Sequence, residues 1–269
     1  MEDCWQFNVH KGKNTREPFA QRVLNLSEDL NYNVEQLFMT TPMPLWHYET
    51  AVVSTELTDY ISKSDNILYQ RQRSLELINQ KWANYLHMYT DGSKSPDKGK
   101  VAAAFYVPHY NHVESKRLQD NTSSYRAELI AIVLTLHWLN QLPCLHTGAV
   151  IFSDSPSAMQ AIKNDLEEQI IYEILMLYTN LHHEGTQVYF EWIPGHCEIH
   201  PNEVVDRAAK QALTHNQVEV QNQLIKSESN SIIRFSANKA NYISFTELCI
   251  LYTYIFTCVP VNLYFPFSI

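Results

Sequence analysis

The sequence predicts an α/β domain, a mixed five-stranded sheet with helices on both faces, over residues 85–213. Three observations carry that expectation. Short apolar runs of strand length alternate with longer stretches whose apolar residues recur at helical spacing. The early runs follow one another across short turns, while the later ones are separated by helical stretches, and the two habits together indicate a mixed sheet. About 130 residues is also enough for one domain with its own core.

Taken in order, the first strand runs from Tyr85 through Met88-Tyr89-Thr90 and ends on Asp91-Gly92, a carboxylate followed at once by a turn residue. Val101–Val107 is a continuous apolar run, and His112–Leu118 can pair with it antiparallel across a turn at residues 108–111. Residues 125–140 place Leu129, Ile130, Ile132, Val133, Leu136 and Leu139 on one wide helical face. Residues 149–152, Ala-Val-Ile-Phe, form a short strand covered on both faces. Ser155-Pro156 then supplies a helix cap with proline at the first helical position, and one or two helices continue to His183 before Gly185. A strand over 187–193 and a helix opened by Asn202-Glu203 and running through Leu213 complete the domain.

The flanks read differently. Residues 1–84 are expected to form a leader, with a rigid break at Pro42-Met43-Pro44-Leu45-Trp46 and a docking helix over 67–82. Residues 214–242, rich in Asn, Gln and Ser, read as a polar linker. The apolar tail, 243–269, contains twenty residues (248–267) without a charge, the length that spans a bilayer. Pro260, Asn262, Pro266 and the absence of basic flanks argue against insertion, so a vestigial or non-native end is expected. The chain carries 29 Asp plus Glu against 20 Lys plus Arg, which excludes tight nucleic-acid binding through its overall field. Five cysteines without C-x-x-C spacing and a polar, charged start fit a reducing compartment inside the cell, cytoplasm or nucleus.

Four carboxylates stand where strands end or helices begin. Asp91 closes the first strand; Glu128, in Arg126-Ala127-Glu128-Leu129, lies one turn into the long helix. Asp154 follows Phe152-Ser153, and Asp206 belongs to the first turn expected for the last helix, after Pro194-Gly195-His196. Each has an ordinary explanation as a turn residue, a helix cap or a dipole partner. Together, at the carboxyl ends of sheet strands, they would repel one another unless cations neutralised them. Such oxygen-rich sites suit Mg²⁺, and two ions roughly 3.5–4 Å apart serve phosphodiester cleavage.

In this order and spacing, Tyr-Thr-Asp-Gly-Ser, Arg-Ala-Glu-Leu, Ser-Asp-Ser and Pro-Gly-His…Asn-Glu-x-x-Asp resemble the type 1 ribonuclease H family. The resemblance implies that Asp91, Glu128, Asp154 and Asp206 hold two Mg²⁺ ions, with Mn²⁺ as a substitute. It makes His196 a mobile loop histidine that helps proton transfer or product release. It also implies an endoribonuclease that cuts the RNA strand of an RNA–DNA hybrid, read across the minor groove. The leader is similar to the segment before this domain in non-LTR retrotransposon polyproteins, which implies a reverse transcriptase partner in cis or in trans. The loop departs from the family pattern: Glu198 and Pro201 stand at two positions usually held by glycine, and Ser124-Tyr125 replaces a polar pair. Those departures motivate a competing reading, a catalytically silent remnant that binds nucleic acid or a protein. Two others are an integrase- or transposase-like enzyme on the same sheet, and a zinc site made by His196, Cys197 and His200.

Overall fold

The computed structural model describes residues 47–62, 64–96, 99–143, 148–164 and 168–220. All of them belong to one compact unit, Thr41–Phe235. The proline–tryptophan break, all but the first residues of the polar linker, and the apolar tail lie outside the described residues.

The chain order is β1 (Val53–Ser54), a 3₁₀ turn (Glu56–Asp59), α1 (Ile67–Lys81), β2 (Leu86–Lys94), β3 (Val101–Val107), a second 3₁₀ turn (Pro108–Tyr110) and β4 (His112–Leu118). Then come α2 (Ser124–Leu139), β5 (Ala149–Ser153), α3 (Pro156–Lys163), α4 (Gln169–His183), β6 (Val188–Trp192) and α5 (His200–Ala212). The sheet order is β1-β6-β5-β2-β3-β4. β2, β3 and β4 form an antiparallel meander, while β5, β6 and β1 continue from β2 in parallel.

The sheet therefore has six strands and not five. The addition is the two-residue β1, which pairs Val53 with Phe190 and Ser54 with Glu191. Two residues are too few for any alternation to show in sequence; β1 exists because the edge of β6 offers backbone partners, with Phe190 N–H donating to the carbonyl of Val52 at 3.0 Å.

All seven residues of β3 are buried. Because side chains alternate across a strand, that requires cover on both faces. The helices α2 and α5 supply it, each packing over β2 and β3. α2 starts where Ser123 accepts a hydrogen bond from Arg126 N–H at 3.2 Å, and α3 where Ser155 accepts from Ala158 N–H at 3.3 Å. The largest fully buried side chains, among them Phe105, Phe152, Phe190, Leu129 and Met159, come from the strands, α2 and α3.

Ser54, Lys81 and Trp82, in the described part of the segment expected to be a leader, are tied to this sheet. Glu191, next to the last residue of β6, is 0% exposed. Its carboxylate accepts hydrogen bonds from Ser54 Oγ at 2.8 Å, Trp82 Nε1 at 3.0 Å and Lys81 Nζ at 3.2 Å. Burial pushes the Glu191 carboxyl up, and those three donors pull against it. Trp82 also packs edge-on against Tyr85 and tilted against Tyr189, with ring centroids 5.2 and 5.1 Å apart. A buried carboxylate with partners from only one stretch makes that stretch part of the fold.

Candidate active site

The register of the parallel strands sets the centre of the site. Thr90 pairs with Ser153 and Ser153 with Trp192, so the parallel pairing of β2, β5 and β6 stops at one level, while β2 itself runs past the expected Asp91-Gly92 turn to Lys94 beside β3. Asp91 and Asp154 each follow one step later and lie side by side. α2 delivers Glu128 to the same place because Gly92 lets the helix approach: a Cβ there would stand 2.5 Å from Glu128 N and 2.7 Å from Ala127 C. Gly92 N–H in turn donates to the Glu128 carboxylate. Carboxylate oxygens of Asp91, Glu128 and Asp154 all fall within 4.8 Å of one another.

Gly195 plays the matching part on the other side. A Cβ on it would meet Asp154 Oδ2 at 2.4 Å, so the backbone after β6 runs directly along that carboxylate. Asp154 is further held by the side chain of Asn202, itself 3% exposed, and its carbonyl accepts from Trp192 Nε1 at 3.2 Å.

Asp206 is brought to the same corner but not into the tight trio. It belongs to a second group with His196 and Glu203, whose ligating atoms also lie within 4.8 Å of one another. Its Oδ2 accepts from Lys210 Nζ at 2.7 Å. The two groups are close enough that Asp206 acts electrostatically on Asp91, Glu128 and Asp154. α5 begins at His200, not Asn202, so Asp206 sits in its second turn and Pro201 in its first. Proline is tolerated there because the N–H it lacks would have had no helical partner. Pro201 therefore starts a helix and does not stiffen the loop.

The loop, Pro194 to Ile199, has two residues in the left-handed region, His196 at φ 55° and Glu198 at φ 59°. Position 198, where the family pattern has glycine, thus keeps a glycine-like backbone while carrying a side chain. Between them Cys197 is 1% exposed and its Sγ donates to the carbonyl of Pro194 at 3.0 Å. Burial pushes this thiol up to about 11, so it is an inert plug and a poor metal ligand. The zinc reading has no support here.

The electrostatics record an excess of negative charge. Asp91 is pushed up to about 7, first by burial and then by Asp154 and Asp206, with Lys210 pulling down. Burial, then Asp91 and Asp154, holds Glu128 well above the usual carboxylate range. Asp154 is raised by burial against the pull of Asn202 and His196. Glu128 Oε2 is buried without a hydrogen-bond partner. Buried, like-charged oxygens with an orphan lone pair are what a divalent cation satisfies, and an all-oxygen donor set suits a hard ion. Asn202, Glu203 and Lys210 were not singled out as individual site residues in the sequence, although the Asn-Glu-x-x-Asp spacing holds the first two. Lys210 has only its position one turn after Asp206 as a signal.

A mixed sheet with carboxylates gathered beyond its central strands, backed by a helix-borne glutamate, defines an acidic-centred α/β domain built for phosphate chemistry. Residues 83–214 match the family model for RNase H. These residues are a ribonuclease H domain, which gives the chain ribonuclease H activity toward RNA–DNA hybrids in a family that is generally divalent-metal dependent.

Proposed function

We propose that the chain hydrolyses the RNA strand of RNA–DNA hybrids with two Mg²⁺ ions held by Asp91, Glu128, Asp154 and Asp206, Mn²⁺ substituting. The carrying observation is the meeting of Asp91, Glu128 and Asp154 within 4.8 Å with a buried, unpartnered Glu128 oxygen among them. When bound, the ions would activate a water and stabilise the leaving oxygen. The chain's own residues set the geometry: Gly92 N–H fixes Glu128, while Asn202 and the close pass of Gly195 fix Asp154. His196, beside Glu203 and Asp206, is placed to hold a proton for the departing oxygen or to assist product release.

Residues 85–213 carry nine Lys plus Arg against fifteen Asp plus Glu, which predicts weak, salt-sensitive affinity for a free hybrid. We therefore place the domain beside a reverse transcriptase, in cis or in trans, in a non-LTR retrotransposon polyprotein or a gene derived from one, acting inside the cell. Tethering raises the effective substrate concentration and offsets the missing field.

The test is cleavage of an end-labelled RNA–DNA hybrid in Mg²⁺, with duplex RNA and duplex DNA as controls and Asp91→Asn as the disabled variant. Cleavage of the hybrid's RNA strand alone, lost in Asp91→Asn, is the expected result. A folded wild-type chain that leaves the hybrid intact at every Mg²⁺ and Mn²⁺ concentration would establish the silent remnant instead.

A further inference from the structure

The nuclease loop is in contact with an element outside the family-matched residues. Arg71, on α1, reaches across the chain to Glu198, its Nη1 3.3 Å from Glu198 Oε2. Glu198 is one of the two residues at which the loop departs from the family pattern, and it holds a left-handed backbone that glycine would adopt without strain. Its carboxylate is also an added negative charge beside a centre that must admit a phosphodiester. Neither feature helps a nuclease by itself. Paired with Arg71, both acquire a use: the guanidinium offsets the charge and gives the loop a handhold two residues from His196.

α1 is a firm enough support for that handhold. Its carboxyl end is fixed by Lys81 and Trp82 on the buried carboxylate of Glu191. Its amino end is capped by Asn66, which accepts from Leu68 N–H at 2.8 Å. Gln70, Ser74 and Ile78, spaced four apart, are its buried stripe. Arg71 follows directly on the buried Gln70, whose Nε2 donates to the carbonyls of Ser62 at 3.2 Å and Asp65 at 3.0 Å. On the loop side, Cys197 anchors the segment between the two left-handed residues, so a pull on Glu198 is transmitted to His196 through a short, pinned stretch.

We propose that Arg71 is a positioning residue for hybrid cleavage: acting through Glu198, it holds the His196 loop in its working conformation and cancels a charge that would repel the substrate. The inference rests on the nuclease function proposed above. Arg71 lies upstream of residues 83–214, so a domain cut to those residues lacks it.

The experiment uses the full chain with Arg71→Ala, Arg71→Glu, Arg71→Lys, Glu198→Gly, Glu198→Arg, the double variant Arg71→Ala/Glu198→Gly and the exchanged pair Arg71→Glu/Glu198→Arg. Steady-state cleavage and amide hydrogen exchange over residues 194–199 are both measured. Arg71→Ala is expected to lower kcat/KM about two- to fivefold, the range of an exposed ion pair, and to speed exchange in the loop. Arg71→Glu lowers it further through KM, Arg71→Lys restores most of it, and the exchanged pair recovers activity that neither single variant has. In the Glu198→Gly background, Arg71→Ala has no further effect on either readout. Equal effects of Arg71→Ala with and without Glu198, or unchanged loop exchange, would overturn the proposal. A wild-type chain that cleaves nothing while the exchange data behave as expected overturns the nuclease reading and the catalytic half of this inference, and leaves the tether standing.

Discussion

Asp91→Asn is expected to do two opposite things, and the contrast tests the electrostatic description of the site. In the folded protein Asp91 is held up at about 7, from an ordinary value of 3.8. The unfolded chain releases this proton near pH 4, whereas the folded chain keeps it until about pH 7. Between those limits the folded state binds more protons, so stability falls as pH rises and the full penalty is present above pH 7. At ~1.4 kcal/mol per tenfold, the interval from 3.8 to about 7 corresponds to about 4 kcal/mol. Glu128 and Asp154 share the same repulsion, so the part that Asp91 alone can relieve is smaller, on the order of 1–3 kcal/mol. Asparagine cannot ionise. The variant is therefore expected to gain on the wild type steadily as pH is raised from 5 to 8 in EDTA, in chemical denaturation followed by circular dichroism. Adding Mg²⁺ at pH 8 reverses the order, because the wild type binds the cation more tightly. Hybrid cleavage is lost throughout. A variant whose advantage in EDTA is the same at pH 5 and pH 8 would refute the reasoning, since the carboxylate would then carry no pH-dependent strain.

The other expectations concern the parts that hold the trio together. Gly92→Ala places a methyl group 2.5 Å from backbone nitrogen, which cannot yield, and should cost about 1–3 kcal/mol of stability in denaturant titration together with most of the activity. Gly195→Ala meets instead the movable end of Asp154 at 2.4 Å, so cleavage should fall at least tenfold while the melting temperature shifts little. Lys210→Ala removes the cation that now sits 2.7 Å from Asp206 Oδ2; the half-saturating Mg²⁺ concentration, read by titration calorimetry, should fall. Trimming the chain to residues 83–214 strips Glu191 of all three donors, and denaturant titration should show a loss of about 3–5 kcal/mol relative to the longer chain.

How much of this was legible in the sequence depends on the range of the interaction concerned. Local signals worked because they are local: the apolar run at Val101–Val107 and the turn leading to its partner His112–Leu118 placed the hairpin to the residue. Ser155-Pro156 likewise marked the start of α3. The start of α5 was misjudged because Pro201, read as a loop residue, is also acceptable in a helix's first turn. The trio was legible because Asp91 and Asp154 each follow an apolar strand segment and parallel pairing sets Thr90 beside Ser153, although β2 runs on past Asp91-Gly92 to Lys94, where the sequence suggested a turn. That Asp206 pairs with Lys210 and lies nearer His196 and Glu203 depends on side-chain choices that spacing does not encode. β1, Glu191 and Arg71 were illegible for a different reason. Their partners lie 137, 109 and 127 residues away for Ser54, Trp82 and Arg71, and nothing in the intervening sequence announces the pairing.

Those long-range pairs change what counts as the domain. A family pattern registers positions that many related chains share, and here it begins at residue 83, just after Trp82. The physical unit begins earlier, because a fully buried carboxylate on β6 is tolerable only with the hydroxyl, ammonium and indole N–H that residues 54–82 bring to it. The same segment extends the sheet by a strand and sets an arginine against the loop that carries His196. A chain that supplies its sheet edge and its loop support from upstream can tolerate a loop sequence that a free-standing domain could not. Under the support proposed for Arg71, Glu198 is explained by a contact and not by decay. It is half of a contact whose other half lies outside the recognisable domain.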